Sequence, residues 1–454
     1  MQIFLKTLLC LTACSAISVH AANSLNWQTN HVDAQIERLP LPELLEQIST
    51  ATGWEVYMEP GTDYKASVKF KDKSDTDALK RLLGTLSFSL TPQSNSGRKL
   101  YVFKTSVGQA TQLIRSPAAA AKSSRIPNEL IVFLQPGCGS IDDLAKKLNA
   151  KVLGRVEEVH AYRLQFADEA VAEKSRQDLR QEECVANIES NYSIDPLPIP
   201  KAKPIAATGT GTPAFDLTMN PDPNKMIVAL IDSHVQPLDP SMQKFMLAGI
   251  NQAGEWSGSP DEPTHGTFMA ESILHAQQSA LGNSGQSSSL QILPVDVYGN
   301  NSTSSTFDIA NGIIKAGQQG ARIINLSLGS SGDSPFLQQV IGAASRQGLL
   351  VIAAAGNTPV TYPTFPAAYN NVLAVTASDN TGKLAPYANR GAFVDIMFPG
   401  NDIGKVGTTA YQVNGTSTAT AFASGTAAAL MQTKSYTPSA TATFMTTKWS
   451  FSGK

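Results

Sequence analysis

Four short stretches carry side chains of the kinds that acyl transfer requires. Asp232 ends the apolar run Met226-Ile-Val-Ala-Leu-Ile231, His265 lies in Thr264-His265-Gly266-Thr267, Asn357 follows Ala353-Ala-Ala-Gly356, and Ser417 closes Asn414-Gly415-Thr416-Ser417 ahead of an alanine-rich run. A serine hydroxyl is a poor nucleophile at neutral pH and needs a base, which an imidazole supplies and later returns as an acid. A carboxylate fixes the imidazole tautomer and stabilises its charged form. An amide N–H and the backbone N–H groups of a helix start can receive developing negative charge. Taken singly the residues are ambiguous. Ser417 alone reads as the cap of a helix, and His265 competes with His234 and His275, from which it differs by its Thr-His-Gly-Thr setting at a helix start.

The elements that must position these residues are legible as apolar runs at 226–231, 290–297, 321–326, 349–354 and 372–375, separated by helical stretches. Continuous apolar strands alternating with helices imply an α/β fold whose parallel sheet is covered on both faces. In such sheets function collects at the carboxyl ends of the strands, which is where the four stretches fall. Their chain order is Asp, His, Ser. That order excludes the chymotrypsin plan of His, Asp, Ser and the α/β-hydrolase plan of Ser, Asp, His, and no Gly-x-Ser-x-Gly elbow occurs.

On VALID, THGTFMA, INLSLGS, VIAAAGN and NGTSTA, with Tyr362-Pro363 and Phe398-Pro399-Gly400, residues 225–454 resemble the subtilisin-like serine proteases. The resemblance implies a doubly wound subtilisin-like sheet. It implies a catalytic triad of Asp232, His265 and Ser417, and an oxyanion hole made by Asn357 with the Ser417 backbone N–H. Substrate is then expected extended between Ser327-Leu328-Gly329 and Ser304-Ser305. The first pocket is walled by Ala354, Ala355 and Gly356, with Thr361 at its base where many relatives carry glycine, so small or medium apolar side chains should fit. The sequence also departs from the family: Asp232-Ser233-His234 replaces Asp-Thr-Gly, Phe268 replaces a second histidine, and Thr418 and Ala421 stand where methionine and proline are common. No cofactor is expected. Calcium is common in the family, but no loop dense in carboxylates matches an oxygen cage, and no metal ligand is assigned.

Upstream, residues 128–192 read as βαββαβ, a ferredoxin-like plan. In it the first and last strands are neighbours, so Cys138, just past the first strand, and Cys184, just before the last, fall at one edge of the sheet and are expected to form a disulfide. Residues 126–193, with IPNELIVFLQPG and VANIESNY, resemble a subtilase propeptide. The proline-rich segment 194–224 is expected to be exposed, extended and open to the maturation cut. Residues 25–105 read as another small α+β unit, in which Ser74 and Asp77 form a capping box. On LPLPELLEQISTATGW, VKFKDKSDTDALKRLLGTLSFSL and KLYVF this unit resembles the short N-terminal domain of secretins and TonB-dependent receptors, which implies contact with an envelope protein. Residues 106–125, rich in alanine and serine, read as a linker.

The chain of 454 residues is long enough for about three domains. Its formal charge of -2 gives no basic surface for nucleic acid. Residues 1–21 show one lysine, an apolar run and Val19-His20-Ala21, the pattern of a signal peptide, so a periplasmic or secreted protein is expected. Leu11-Thr12-Ala13-Cys14 also resembles a lipobox, which leaves anchoring at Cys14 as an alternative. The resulting expectation is an exported serine endopeptidase made as a zymogen, acting on proteins or peptides and bound by its own propeptide. The alternative is an envelope binding or signalling protein whose subtilase domain only cuts itself or is silent.

Overall fold

A computed structural model describes residues 23–92, 98–114, 124–196, 203–204, 215–220, 225–282 and 287–451. The signal sequence, with Cys10 and Cys14, lies outside the described residues, as do parts of both expected linkers.

The N-terminal unit contains β1 (Ser24–Gln28), β2 (His31–Pro40), α1 (Leu41–Thr52), β3 (Glu55–Met58), β4 (Lys65–Lys73), α2 (Asp75–Leu83), β5 (Ser87–Pro92), β6 (Arg98–Phe103) and β7 (Gln112–Ile114). It has two small sheets, ordered β1-β2-β4 and β5-β6-β3-β7. Leu41, Leu44, Leu45 and Ile48 form the apolar stripe of α1, and Leu79, Leu82 and Leu83 that of α2; all are fully buried in one cluster. Ser74 caps α2 by accepting from the Asp77 N–H, and Gly53 ends α1 in the left-handed conformation that glycine adopts without strain. The expected linker starts later than the composition implies, because β7 pairs with β3 and Ile114 is fully buried.

The second unit follows the expected order: β8 (Arg125–Leu134), α3 (Ile141–Lys147), β9 (Lys151–Val156), β10 (Ala161–Gln165), α4 (Glu169–Leu179) and β11 (Val185–Pro196). The sheet order β11-β8-β10-β9 puts the first and last strands side by side. Cys138 and Cys184 are joined, with Cα atoms 5.5 Å apart. β11 is much longer than the expected 185–188, and it changes partners along its length. It leaves β8 after Tyr192 and continues antiparallel to β18 (Ser304–Ser305) and then to β20 (Leu328–Gly329). The first residues of the supposed linker are therefore strand.

The large domain is built on a seven-stranded parallel sheet ordered β15-β17-β14-β19-β21-β22-β23. After the short strands β12 (Lys203–Pro204) and β13 (Thr218–Met219), its elements are β14 (Met226–Asp232), β15 (Ile250–Asn251), α5 (His265–Leu281), β16 (Ser287–Ser288), β17 (Leu290–Asp296), α6 (Thr306–Gln318) and β19 (Ile323–Leu326). Then follow α7 (Pro335–Arg346), β21 (Leu350–Ala354), β22 (Val372–Ser378), β23 (Ile396–Pro399), β24 (Asn401–Val406), β25 (Thr409–Asn414), α8 (Thr416–Lys434) and α9 (Pro438–Lys448). Alternate residues of β14 face opposite cores: Val228 and Leu230 meet α5 and α8, whereas Ala229 and Ile231 meet α6 and α7. This double burial is why the strands read as unbroken apolar runs. α5 and α8 approach so closely that a Cβ on Gly425 would lie 2.2 Å from the Ile273 carbonyl oxygen. The alanine-rich text of α8 permits that approach, and it fixes where the helix start, with Ser417, is delivered.

Candidate active site

Asp232 ends β14 and is 1% exposed, and His265 opens α5. His265 Nδ1 lies 2.7 Å from Asp232 Oδ1. The same oxygen accepts from the Ser233 N–H at 2.7 Å and from its hydroxyl at 3.2 Å. Ser233 Oγ in turn accepts from the Gly266 N–H at 2.9 Å, so this one side chain ties the strand end to the helix start. Thr264 caps α5, and its hydroxyl donates to the His234 carbonyl at 2.6 Å. The turn that lacks the family glycine is held instead by His234 stacking on Trp256, with centroids 4.4 Å apart. The altered turn therefore leaves the Asp232–His265 contact intact.

Ser417 is the second residue of α8, where N–H groups have no intrahelical partner. Its hydroxyl donates to the Ser327 carbonyl at 3.3 Å, and its own carbonyl accepts from Ser327 Oγ at 3.1 Å. His265 Nε2 is buried and has no hydrogen-bond partner among the described residues. The Ser417 hydroxyl is thus turned to Ser327 and not to His265 in this structure; catalytic hydrogen bonds are often long or unmade in unliganded sites.

Asn357 follows β21. Its Oδ1 accepts from Thr416 twice, from N–H and from Oγ1, each at 2.9 Å. The Thr416 hydroxyl also accepts from the Gly356 N–H at 3.1 Å. With the oxygen end so held, the amide nitrogen lies beside Gly415, 3.2 Å from where a Cβ on that residue would sit. Gly415 has φ of 154°, so glycine serves here both for backbone and for space.

β11 runs along Ser304-Ser305 and Leu328-Gly329, two of the segments expected to edge the cleft; Ser327 is not paired with it. Ser193 stands opposite Ser305, Ile194 opposite Ser304, Asp195 opposite Gly329 and Pro196 opposite Leu328. Ala354, Ala355 and Gly356 wall a cavity of about 650 Å³ whose other side includes Gly329, Ser330 and Tyr362. Thr361 is displaced from the expected pocket base. Its neighbours Val360 and Tyr362 line the cavity, but its N–H and hydroxyl both point to Glu46 of α1, at 3.0 and 2.9 Å.

Several residues escape sequence reasoning. Asn389 fixes the pocket wall, donating to the Ala355 carbonyl at 2.7 Å and accepting from the Thr358 N–H at 2.9 Å. Asp296, beside Asp232 in register, accepts from the N–H groups of Tyr298 and Gly299. Burial raises its carboxyl above the usual range. The Tyr298 hydroxyl is buried without a hydrogen-bond partner among the described residues, and burial near Asp232, Asp195 and Asp296 keeps it neutral. Ser233 and Thr416 are adjacent to recognisable motif residues, which is the only signal that marks them.

A buried carboxylate at the end of β14, an imidazole and a serine at two helix starts, and an oriented amide after β21 make up the residue set of a serine-dependent acyl-transfer site. Residues 224–450 match the model of the subtilase family, and residues 115–191 that of the fervidolysin N-terminal prodomain. The chain is 36% identical over 191 residues to subtilisin Savinase of Lederbergia lenta, covering 40% of this chain and 71% of that protein. It is 33% identical over 205 residues to thermitase of Thermoactinomyces vulgaris, covering 45% and 74%. It spans about half of other relatives, such as the alkaline protease of Shouchella clausii, at 50%. Among solved structures, fervidolysin of Fervidobacterium pennivorans, described as a keratinolytic enzyme related to subtilisin, superposes with a TM-score of 0.54 at 19% identity, covering 69% of this chain and 56% of that one. The epidermin leader peptide processing serine protease of Staphylococcus aureus gives 0.53 at 18% identity, covering 70% and 91%. At these identities the two show the fold alone. The chain belongs to the subtilase family, and carries a subtilase-type prodomain.

Proposed function

We propose that the chain is an exported serine endopeptidase made as a zymogen, in which Ser417 forms an acyl-enzyme with protein or peptide substrates. The observation that carries this reading is β11, which crosses the cleft antiparallel to both β18 and β20, in the pose of a peptide added between two strand edges. The prodomain also serves the catalytic domain's helix starts. Asn191 Oδ1 accepts from the Thr306 hydroxyl and the Phe307 N–H at α6, and Glu189 Oε2 accepts from the Phe336 N–H at α7. Such caps favour a role in folding as well as in inhibition.

In the proposed reaction His265 Nε2 takes the Ser417 hydroxyl proton as Oγ attacks the substrate carbonyl carbon. Asn357 Nδ2 and the Ser417 N–H hold the oxyanion, and Asp232 steadies the imidazolium. The C–N bond breaks as His265 returns the proton to the leaving amine. Water then repeats the sequence and releases the acid.

Export is read from the charged, apolar and small-residue pattern of residues 1–21. Among the described residues no helix is long and apolar enough to cross a membrane. The resemblance of the N-terminal unit to secretin and TonB-receptor domains would add an envelope protein as a partner. The test is turnover of an unrelated protein such as casein by the cut chain. Multiple turnovers abolished by Ser417→Ala support the endopeptidase. A single self-cleavage without turnover contradicts it and favours a protein that processes itself and then only binds.

A further inference from the structure

The prodomain is not the only upstream part of the chain that grips the catalytic domain. Glu46, on α1 of the N-terminal unit, is 7% exposed, and both its carboxylate oxygens accept from Thr361. Arg390 donates its backbone N–H to the Val360 carbonyl, and its guanidinium faces Glu43, Glu46 and Asp63, all from the N-terminal unit. β7 of the same unit brings Gln112 and Leu113 to the cavity walled by Ala354 and Gly356. The N-terminal unit thus closes the outer side of the primary pocket and holds the loop that forms its wall.

Connectivity gives this contact a consequence. The N-terminal unit and the cleft-filling strand both precede residue 197, so any cut in the following segment leaves them joined to each other and severed from the catalytic domain. Two contacts carried on one chain bind more tightly than either alone, because the second association becomes intramolecular.

We propose that residues 358–364 with Arg390 form a docking surface for the N-terminal unit, and that residues 23–196 act after the cut as one bivalent inhibitor, the N-terminal unit being the anchor at the pocket wall. The inhibitory part of this proposal rests on the endopeptidase reading.

The anchor carries its own pH dependence. Burial pushes Glu46 up to about 7, against the two Thr361 bonds; Glu43 on the same helix adds to the rise and Arg390 across the interface opposes it. Lys65 faces Glu43, and Asp63 faces Arg390. A released Glu46 would return toward its ordinary value of 4.5. Docking therefore takes up a proton between these values. It is strongest below the ordinary carboxylate range, weakens by up to about tenfold per pH unit on the way to about pH 7, and is level above that.

Two measurements on the full chain test this. The first is the lag before a chromogenic peptide is cleaved, followed from pH 5 to 8. Glu46→Ala should shorten the lag severalfold, and Glu46→Gln should keep it long while weakening its pH dependence, the remainder coming from Glu189 and Asp195 of β11, which burial also raises; an unchanged lag in Glu46→Ala overturns the anchor. The second is hydrogen exchange at residues 358–364 in the Ser417→Ala chain, which reads docking without activity. Exchange that accelerates at least tenfold with Glu46→Ala, while β8 and β11 stay protected, supports the docking surface, and unchanged exchange overturns it. A wild-type chain that never cleaves the peptide overturns the inhibitory role, and the exchange result then decides the docking surface alone.

Discussion

Asp195 stands directly opposite Gly329, in register, while Asp195 is joined through β11 to the prodomain sheet and Gly329 borders the cavity walled by Ala354, Ala355 and Gly356. A strand that begins in one domain and ends in the cleft of another makes the folded zymogen its own inhibited complex. The predictions below follow from that arrangement and from the site beneath it.

Asp232→Asn should lower kcat by roughly 10⁴-fold with little change in KM, because the amide turns the wrong end toward His265 Nδ1 and favours the wrong tautomer. Steady-state kinetics on a peptide substrate measure this. A loss below tenfold would show that Asp232 does not orient the base.

Asn357→Leu should lower kcat by about 100- to 1000-fold, the range for losing one oxyanion donor. Since Asn357 also holds Thr416, Thr416→Val is the companion variant. It should lower kcat as well, by disordering the same amide, and it should leave KM nearly unchanged. A Thr416→Val enzyme with full kcat would separate that hydroxyl from the chemistry.

Substrates with Ala or Leu before the scissile bond should be cleaved faster than one with Phe, because the small and medium side chains Ala354, Ala355 and Val360 line the cavity expected to take that residue. Comparison of kcat/KM across the three peptides checks this, and a best rate with Phe contradicts it.

Cys138→Ser should destabilise the prodomain by up to about 4 kcal/mol in the chain-entropy view of a loop of this size. Denaturant unfolding of the Ser417→Ala chain, with and without the substitution, measures the difference. Only the transition of the prodomain should shift to lower denaturant, since the bond lies wholly within that unit, and an unshifted transition contradicts the prediction.

Glu271 gives a second pH signature, remote from the cleft. It is 3% exposed and accepts from the Lys405 N–H at 2.8 Å, and burial pushes it up to about 7. Nearby His275 is also raised; burial opposes the rise, which its contact with Asp402 produces. For a carboxyl whose folded value is raised, the stabilising contribution is complete below the unfolded value and lost as pH climbs through about 7. The Ser417→Ala chain should therefore lose stability between about pH 5 and 7, by at most about 3 kcal/mol from this group. Glu271→Gln should make the curve shallower by that amount, and the slope contributed by Glu46, also raised to about 7, should remain.

The chain order is legible because its residues sit in local motifs: the apolar text of β14 and β21 announces the strands that Asp232 ends and Asn357 follows. His265 and Ser417 differ from the expectation of strand ends, since both open helices, the one after a long loop and the other after the antiparallel hairpin β24-β25. The disulfide was legible because ferredoxin-like topology puts the ends of β8 and β11 together. What stayed hidden is non-local. Nothing in Ser193-Ile-Asp-Pro196 marks a strand, since its partners Ser304, Ser305, Leu328 and Gly329 belong to another domain. Thr361 was placed at the pocket base by motif spacing, yet its donors are taken by Glu46, 315 residues away in the chain. β2 is a different case: its buried and exposed residues alternate along His31-Val-Asp-Ala-Gln-Ile36, a pattern present in the sequence though no strand was expected there.

The central claim, that Ser417 is a nucleophile activated by His265, is tested most directly by intact-mass detection of a fluorophosphonate adduct on the purified cut chain. The account predicts one adduct per chain, mapped to Ser417, absent in Ser417→Ala and strongly slowed in His265→Ala. A wild-type chain that takes up no label, or an adduct that survives Ser417→Ala, would contradict it.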